Sequence, residues 1–249
     1  MTHTGNGFID IGRIVGSSTV ARSTVMKAVD ILPGYRWNPK ARRYISNQTG
    51  RFVGRARIVS LLDSSVSDGE RRMSDLVRLV HEGKISPVTW LQMSMDVIKT
   101  LHLQNSALGS GGWEQMSPRA RGRIGGKLAA DYRRLARFAE DIQEGRSSLP
   151  QSLNRANMYV GNARTEYYES RREDAIPSSG DMMLLERRVL GQAEHCSDCI
   201  ALYEQGWQPA GMLPFPGDGS TQCLTNDRCD LLEREVPIAD SGDWIGTKR

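Results

Sequence analysis

Ser86-Pro87-Val88-Thr89-Trp90-Leu91-Gln92-Met93-Ser94-Met95-Asp96-Val97-Ile98-Lys99-Thr100-Leu101 is the stretch that decides the fold. A hydroxyl able to accept from a free backbone N–H stands directly before a proline, whose missing N–H costs nothing in a first helical turn. Behind this start, Val88, Leu91, Met95, Ile98 and Leu101 recur at three- and four-residue spacing, the period of one helix face. The same start returns at Ser117-Pro118, ahead of Ile124, Leu128, Leu135, Phe138 and Ile142. Upstream, Met73, Leu76, Val77 and Val80 fall at i, i+3, i+4 and i+7, and Gly83 stands where that helix would close. Downstream, the pattern predicts a fourth long helix from Pro150 to about Glu173 and a shorter one over Met182 to Leu190. Pro177-Ser178-Ser179-Gly180 reads as the loop between them. The two Ser-Pro starts are a shared capping device, and the chain carries no internal repeat.

Composition agrees with a helical globular chain. Its 249 residues are 39% apolar, 25% charged and only 6% aromatic. No stretch approaches the roughly 20 apolar residues of a membrane-spanning helix, so no membrane contact is expected. No basic patch followed by an apolar block opens the chain, and no signal peptide is expected. Thirty-three Lys and Arg against 29 Asp and Glu leave a net charge of +4, too little to indicate nucleic acid without regard to distribution.

The expected fold is mainly α: a helical body over 55–190, preceded by an N-terminal arm and basic hairpin-like segment (1–54) and followed by a small cysteine-rich module and tail (191–249). Residues 1–34 read as an arm with one short helix near Val20 to Ile31, ended at Pro33-Gly34. In the next segment, Arg43-Tyr44-Ile45 and Arg51-Phe52-Val53 flank Asn47-Gln48-Thr49-Gly50, which predicts a hairpin or extended loop. Residues 35–57 hold seven cations, Arg36, Lys40, Arg42, Arg43, Arg51, Arg55 and Arg57, and no acid. Their mutual repulsion calls for a counter-charge, so these seven are the candidate interaction residues. An acidic groove of a neighbouring protein is the favoured partner and DNA phosphate the second. A second basic run holds Arg119, Arg121, Arg123, Lys127, Arg133, Arg134 and Arg137 against Asp131 alone. It reads as a solvated helix surface, with DNA or an acidic partner as the alternative.

All four cysteines, Cys196, Cys199, Cys223 and Cys229, fall within 34 residues. A Cys-x2-Cys turn lets two thiolates converge on one ion, and a second arm completes a four-sulfur site. The segment between the arms is rich in Gly and Pro and has little apolar core, and a structural metal would hold it folded. These cysteines are therefore the candidate zinc ligands, with two disulfides or reduced, unligated thiols as the alternatives. Four sulfurs would leave no open position for water, so such a zinc would be structural. His195 adjoins Cys196 and reads as a bystander.

Glu194-His195-Cys196-Ser197-Asp198-Cys199, Gly206-Trp207, Leu213-Pro214 and Thr221-Gln222-Cys223-Leu224-Thr225-Asn226-Asp227-Arg228-Cys229 together resemble the C-terminal cysteine motif of tailed-phage minor head (head morphogenesis) proteins. Asp227 stands where that family often has cysteine, which leaves Cys223 as the third ligand and Asp227 as a surface acid, with a substitute oxygen ligand as the alternative. Weaker echoes run from Arg43-Tyr44 to Phe52-Val53, at Trp90, and at Arg155-Ala156-Asn157-Met158-Tyr159. The resemblance implies a virion structural protein of the head or the head–tail neck, part of a multimeric assembly touching portal, capsid or neck subunits and packaged DNA. Such a protein would be assembled in the host cytoplasm. A DNA-binding regulator with a structural zinc module is the alternative.

No catalytic residue is assigned, and the chain is expected not to be an enzyme. The four histidines, His3, His81, His102 and His195, are scattered. Gly122-Arg123-Ile124-Gly125-Gly126-Lys127-Leu128 only approximates a phosphate loop: the glycines are one residue too close and Leu128 replaces the hydroxyl. Inside a helix, its small residues read as a helix–helix contact.

Overall fold

The computed structural model describes residues 33–176, 180–191 and 194–248. The arm and the short helix near Val20 to Ile31 lie outside the described residues, as does most of the Pro177 loop. Two short strands, β1 (Tyr35–Asn38) and β2 (Arg43–Ser46), pair antiparallel, with Trp37 opposite Tyr44. The hairpin predicted between residues 43–45 and 51–53 is only partly formed. Phe52 bridges Ile45 and Val53 N–H donates to Tyr44 at 2.8 Å, but the main partner of β2 is β1.

The helical body follows: α1 (Arg55–His81), α2 (Pro87–Ser110), α3 (Pro118–Gln143), α4 (Leu149–Asn162) and α5 (Thr165–Ala175). The two Ser-Pro starts are true caps. Ser86 Oγ accepts from Thr89 N–H at 3.1 Å, and Ser117 Oγ accepts from Ala120 N–H at 3.0 Å. Gly83, at φ 68°, takes the left-handed conformation that ends α1. The predicted fourth long helix is broken at Ala163-Arg164 into α4 and α5. The buried Arg164 points its guanidinium at Asp63 on α1, a partner no local pattern reveals.

Among the described residues, the two largest apolar clusters span most of the body. Met73, Val77, Trp90, Ile98, Leu135, Phe138 and Val160 join α1 to α4, with Trp90 and Phe138 edge to face at 4.9 Å. Tyr44, Ile58, Leu62, Leu108, Tyr167, Tyr168, Leu213 and Leu231 join the hairpin and body to the C-terminal part.

Met182 to Leu190 is not a helix. Met182–Val189 forms β3, central in a three-stranded antiparallel sheet with β4 (Trp207–Pro209) and β5 (Asp230–Pro237) as its edges. The sheet thus begins before residue 191. The apolar residues of Met182-Met183-Leu184-Leu185 suit either period, and pairing with distant strands chose the extended form. A short helix, α6 (Ser197–Glu204), lies between β3 and β4. The molecule is therefore mainly helical, with a small strand region at each end and a C-terminal cysteine cluster.

Candidate metal centre

Three chain segments bring the cysteines together. Cys196 immediately precedes α6 and Cys199 lies in its first turn; Cys223 precedes a 3-10 turn over Leu224–Asn226; Cys229 immediately precedes β5. The first two arms are braced to each other. Asp198 Oδ2 accepts Gln222 N–H at 2.9 Å, and Gln222 Nε2 donates to Ser197 Oγ at 3.0 Å. Leu224, directly after Cys223, has φ 50°, a left-handed conformation a leucine rarely takes, so the turn that presents this thiol is strained.

The donor atoms form two overlapping sets. Cys196, Cys199 and Cys223 make one and Cys199, Asp227 and Cys229 the other, all atoms within each set lying within 4.8 Å of one another. Sulfurs around a tetrahedral ion with bonds near 2.3 Å stand about 3.8 Å apart, so the cluster is close to the size a metal requires. None of the four cysteines is in a disulfide. The Cys199 amide, followed by the neighbouring thiols of Cys223 and Cys199, holds Cys196 down to about 7, against an ordinary 9.0. Burial and the neighbouring thiols push Cys199 up instead, and burial raises Cys223. Four thiol-bearing side chains converging from three chain segments are a donor set suited to a soft divalent cation. The residues present fit a metal.

Asp227 is not the surface acid expected from sequence. It is buried and ion-paired to the equally buried Arg188 of β3, while its Oδ1 accepts Cys229 N–H at 2.9 Å. His195 Nδ1 lies 3.8 Å from Cys229 Sγ, yet His195 belongs to neither donor set. The module is locked to the body nearby. Arg164 and Tyr168 both donate to the Cys229 carbonyl at 3.5 Å, and Arg172 grips the buried Glu186 of β3 at 2.6 Å. A side chain at Gly161 of α4 would meet the Thr225 carbonyl at 2.8 Å, so the body also approaches the cysteine loop closely.

The seven basic residues of 35–57 do not act as one group. Arg42 turns inward to Glu233 and Glu235, and Arg55 grips Asp230 at 2.6 Å. Part of the counter-charge demanded by sequence is therefore supplied by β5 of the same chain. Arg43 stacks 4.6 Å over the exposed Phe52 ring. Arg36, Lys40, Arg51 and Arg57 are exposed and form no ion pair with a described residue.

The second basic run is also partly internal. Arg119, Arg123 and Lys127, one turn apart on α3, face Glu166, Glu169 and Glu173 of α5, with Arg123 to Glu166 at 2.6 Å and Lys127 to Glu169 at 2.5 Å. Gly122, Gly125 and Gly126 contact no other described element, since a side chain added at each would meet nothing within 4 Å. The helix contact expected of them is absent among the described residues.

Sequence reasoning missed the buried polar layer beneath this zipper. His102 of α2 is fully buried, with Nδ1 3.1 Å from Glu166 and Nε2 3.3 Å from Asp131. Burial alone would lower its pKa, but the hydrogen bonds and charges of the two carboxylates outweigh it and hold His102 above its ordinary value. Burial would likewise raise Glu166, yet His102, Lys127 and Arg123 hold it down to about 2. His102, Asp131 and Glu166 are themselves buried, and the layer ties α2, α3 and α5 together. A signal existed in the four-residue spacing of Arg119, Arg123 and Lys127 against the three- and four-residue spacing of Glu166, Glu169 and Glu173.

No family model, curated protein or solved structure matches the chain.

Proposed function

We propose that this chain is a structural protein of a tailed-phage virion, placed in the head or head–tail neck, where it contacts portal, capsid or neck subunits during head morphogenesis. Zinc held by Cys196, Cys199, Cys223 and Cys229 is its structural staple. The observation that carries the reading is the convergence of the cysteines in the very segment whose spacing and flanking residues resemble phage minor head proteins. A structural zinc supplies folding free energy on the order of 10–16 kcal/mol in small zinc peptides, ample to hold a loop of Gly and Pro around the site. The salt bridges of Arg55 to Asp230, Arg171 to Glu233 and Arg172 to Glu186 then join the sheet beside the site to the helical body.

Exposed Arg36, Lys40, Arg43, Arg51 and Arg57 are the face left for a partner. They are also the observation that favours the second reading, a DNA-binding regulator with a structural zinc module. Quantitative mass spectrometry of purified particles from the encoding genome separates the two. A virion protein is present at a fixed copy number; a regulator is absent from particles, and that result would sink the first reading. Elemental analysis of reduced, desalted protein tests the staple, with about one zinc per chain expected.

A further inference from the structure

The metal centre offers more donors than a tetrahedral ion accepts. Asp227 lies within 4.8 Å of both Cys199 and Cys229 donor atoms, so a carboxylate competes with sulfur for the ion. That carboxylate is already engaged by Arg188. This residue projects from β3, is fully buried, and binds Asp227 Oδ2 through Nη2, which also lies 3.9 Å from Cys199 Sγ. Its Nη1 donates to the Pro214 carbonyl at 3.1 Å, fixing the guanidinium in place. The other Asp227 contacts are Cys229 N–H on Oδ1 at 2.9 Å and Thr221 Oγ1 on Oδ2 at 3.4 Å.

We propose that Arg188 is a positioning residue for the metal centre: by binding Asp227 it keeps the donor set all-sulfur, and by facing Cys199 it offsets the charge of the thiolates. This rests on the metal reading above. Four thiolates around a divalent cation leave two negative charges, and Asp227 beside them makes three in a buried place. Arg188 brings the sum back to two and spends its charge where burial makes it strongest. Partners of this kind around metal ligands are worth about 10- to 100-fold in metal affinity.

The test uses the full chain loaded with cobalt(II), whose sulfur-to-metal charge-transfer absorption reports the number of thiolate ligands. The wild type is expected to show the four-thiolate intensity. Arg188→Met, similar in length but uncharged, frees Asp227; about one quarter of the intensity should be lost as a carboxylate replaces one of four sulfurs, with affinity down at least about tenfold. Arg188→Met combined with Asp227→Asn removes the competitor, and the full intensity should return. Asp227→Asn alone, in which Arg188 keeps the Pro214 carbonyl and the Cys199 sulfur as neighbours, should retain full intensity, and circular dichroism of every variant shows that it is folded. Unchanged intensity and affinity in Arg188→Met, no recovery in the double variant, or loss in Asp227→Asn would each overturn the proposal while leaving the metal reading standing. A wild type that takes up no cobalt overturns the metal reading and this inference together.

Discussion

Gly109 and Gly125 make a matched pair in which the same substitution should act with opposite sign. Gly109 sits near the end of α2 against α5, and a Cβ there would lie 2.3 Å from the Tyr167 carbonyl oxygen and 3.2 Å from Ser170 Cβ. The closest carbon–oxygen contacts in proteins are about 3.3 Å, so Gly109→Ala forces the two helices apart by about 1 Å at that point. The obstacle is backbone and cannot swing away. Nearby lie the Ser106–Ser170 hydroxyl pair and the His102–Glu166 contact, whose geometry the displacement would disturb. Overpacking costs about 1–3 kcal/mol, and an overlap of this size against backbone belongs to the upper part of that range, about 2–3; alanine's better helix propensity returns about 1, for a net loss of about 1–2 kcal/mol. Gly125 on α3 has nothing within 4 Å of its added Cβ. Gly125→Ala should therefore collect only the propensity gain, about 0.5–1 kcal/mol. Urea unfolding followed by circular dichroism gives both numbers from midpoints at constant slope. A Gly109→Ala protein as stable as wild type, or both variants shifting in the same direction, would refute the helix contact described for α2 and α5.

Leu135→Asp should unfold or aggregate the chain, because it places an unpaired charge in a fully buried position at a cost of several kcal/mol, whereas Arg134→Asp replaces an exposed partner of Asp131 and should cost about 1 kcal/mol or less. Equal damage from the two would mean the phase of α3 is misassigned. Stability should also depend on pH through the buried layer. Glu166 is held at about 2 against an ordinary 4.5, so its contribution is present above 4.5 and is lost as pH falls toward 2; Glu166→Gln should flatten that acid limb in a urea series. His102 is raised, so its contribution is complete below 6.5 and declines as pH climbs through its folded value; His102→Gln should remove this alkaline decline. Charge reversal separates the two kinds of basic residue in the hairpin region. Arg55→Glu, set against Asp230, should lower stability by more than 1 kcal/mol, while Arg36→Glu with Arg51→Glu should leave stability within about 0.5 kcal/mol and reduce incorporation into particles. Normal incorporation of the double variant would remove the exposed cations from the proposed interface.

The sequence by itself determined whatever rests on neighbouring residues. Ser86-Pro87, Ser117-Pro118 and Gly83 place helix ends through contacts spanning a few residues, and the 3.6-residue apolar period marks buried positions on α1, α2 and α3, although Val88 of the α2 stripe is exposed and the second half of α2 is buried all round. The cysteine cluster was legible because all four cysteines fall within 34 residues and two of them stand at the Cys-x2-Cys spacing that suits one ion. Tertiary structure decided what depends on residues far along the chain. Met182–Val189 became a strand because β4 and β5 supply its hydrogen bonds, and Glu186 and Arg188 are buried within it because Arg172 and Asp227 neutralise them. The break at Arg164 answers to Asp63, and the charges of Arg42 and Arg55 are met by acids of β5 nearly two hundred residues away. A buried charge is tolerated only with its partner in place, and local sequence carries the charge without naming the partner.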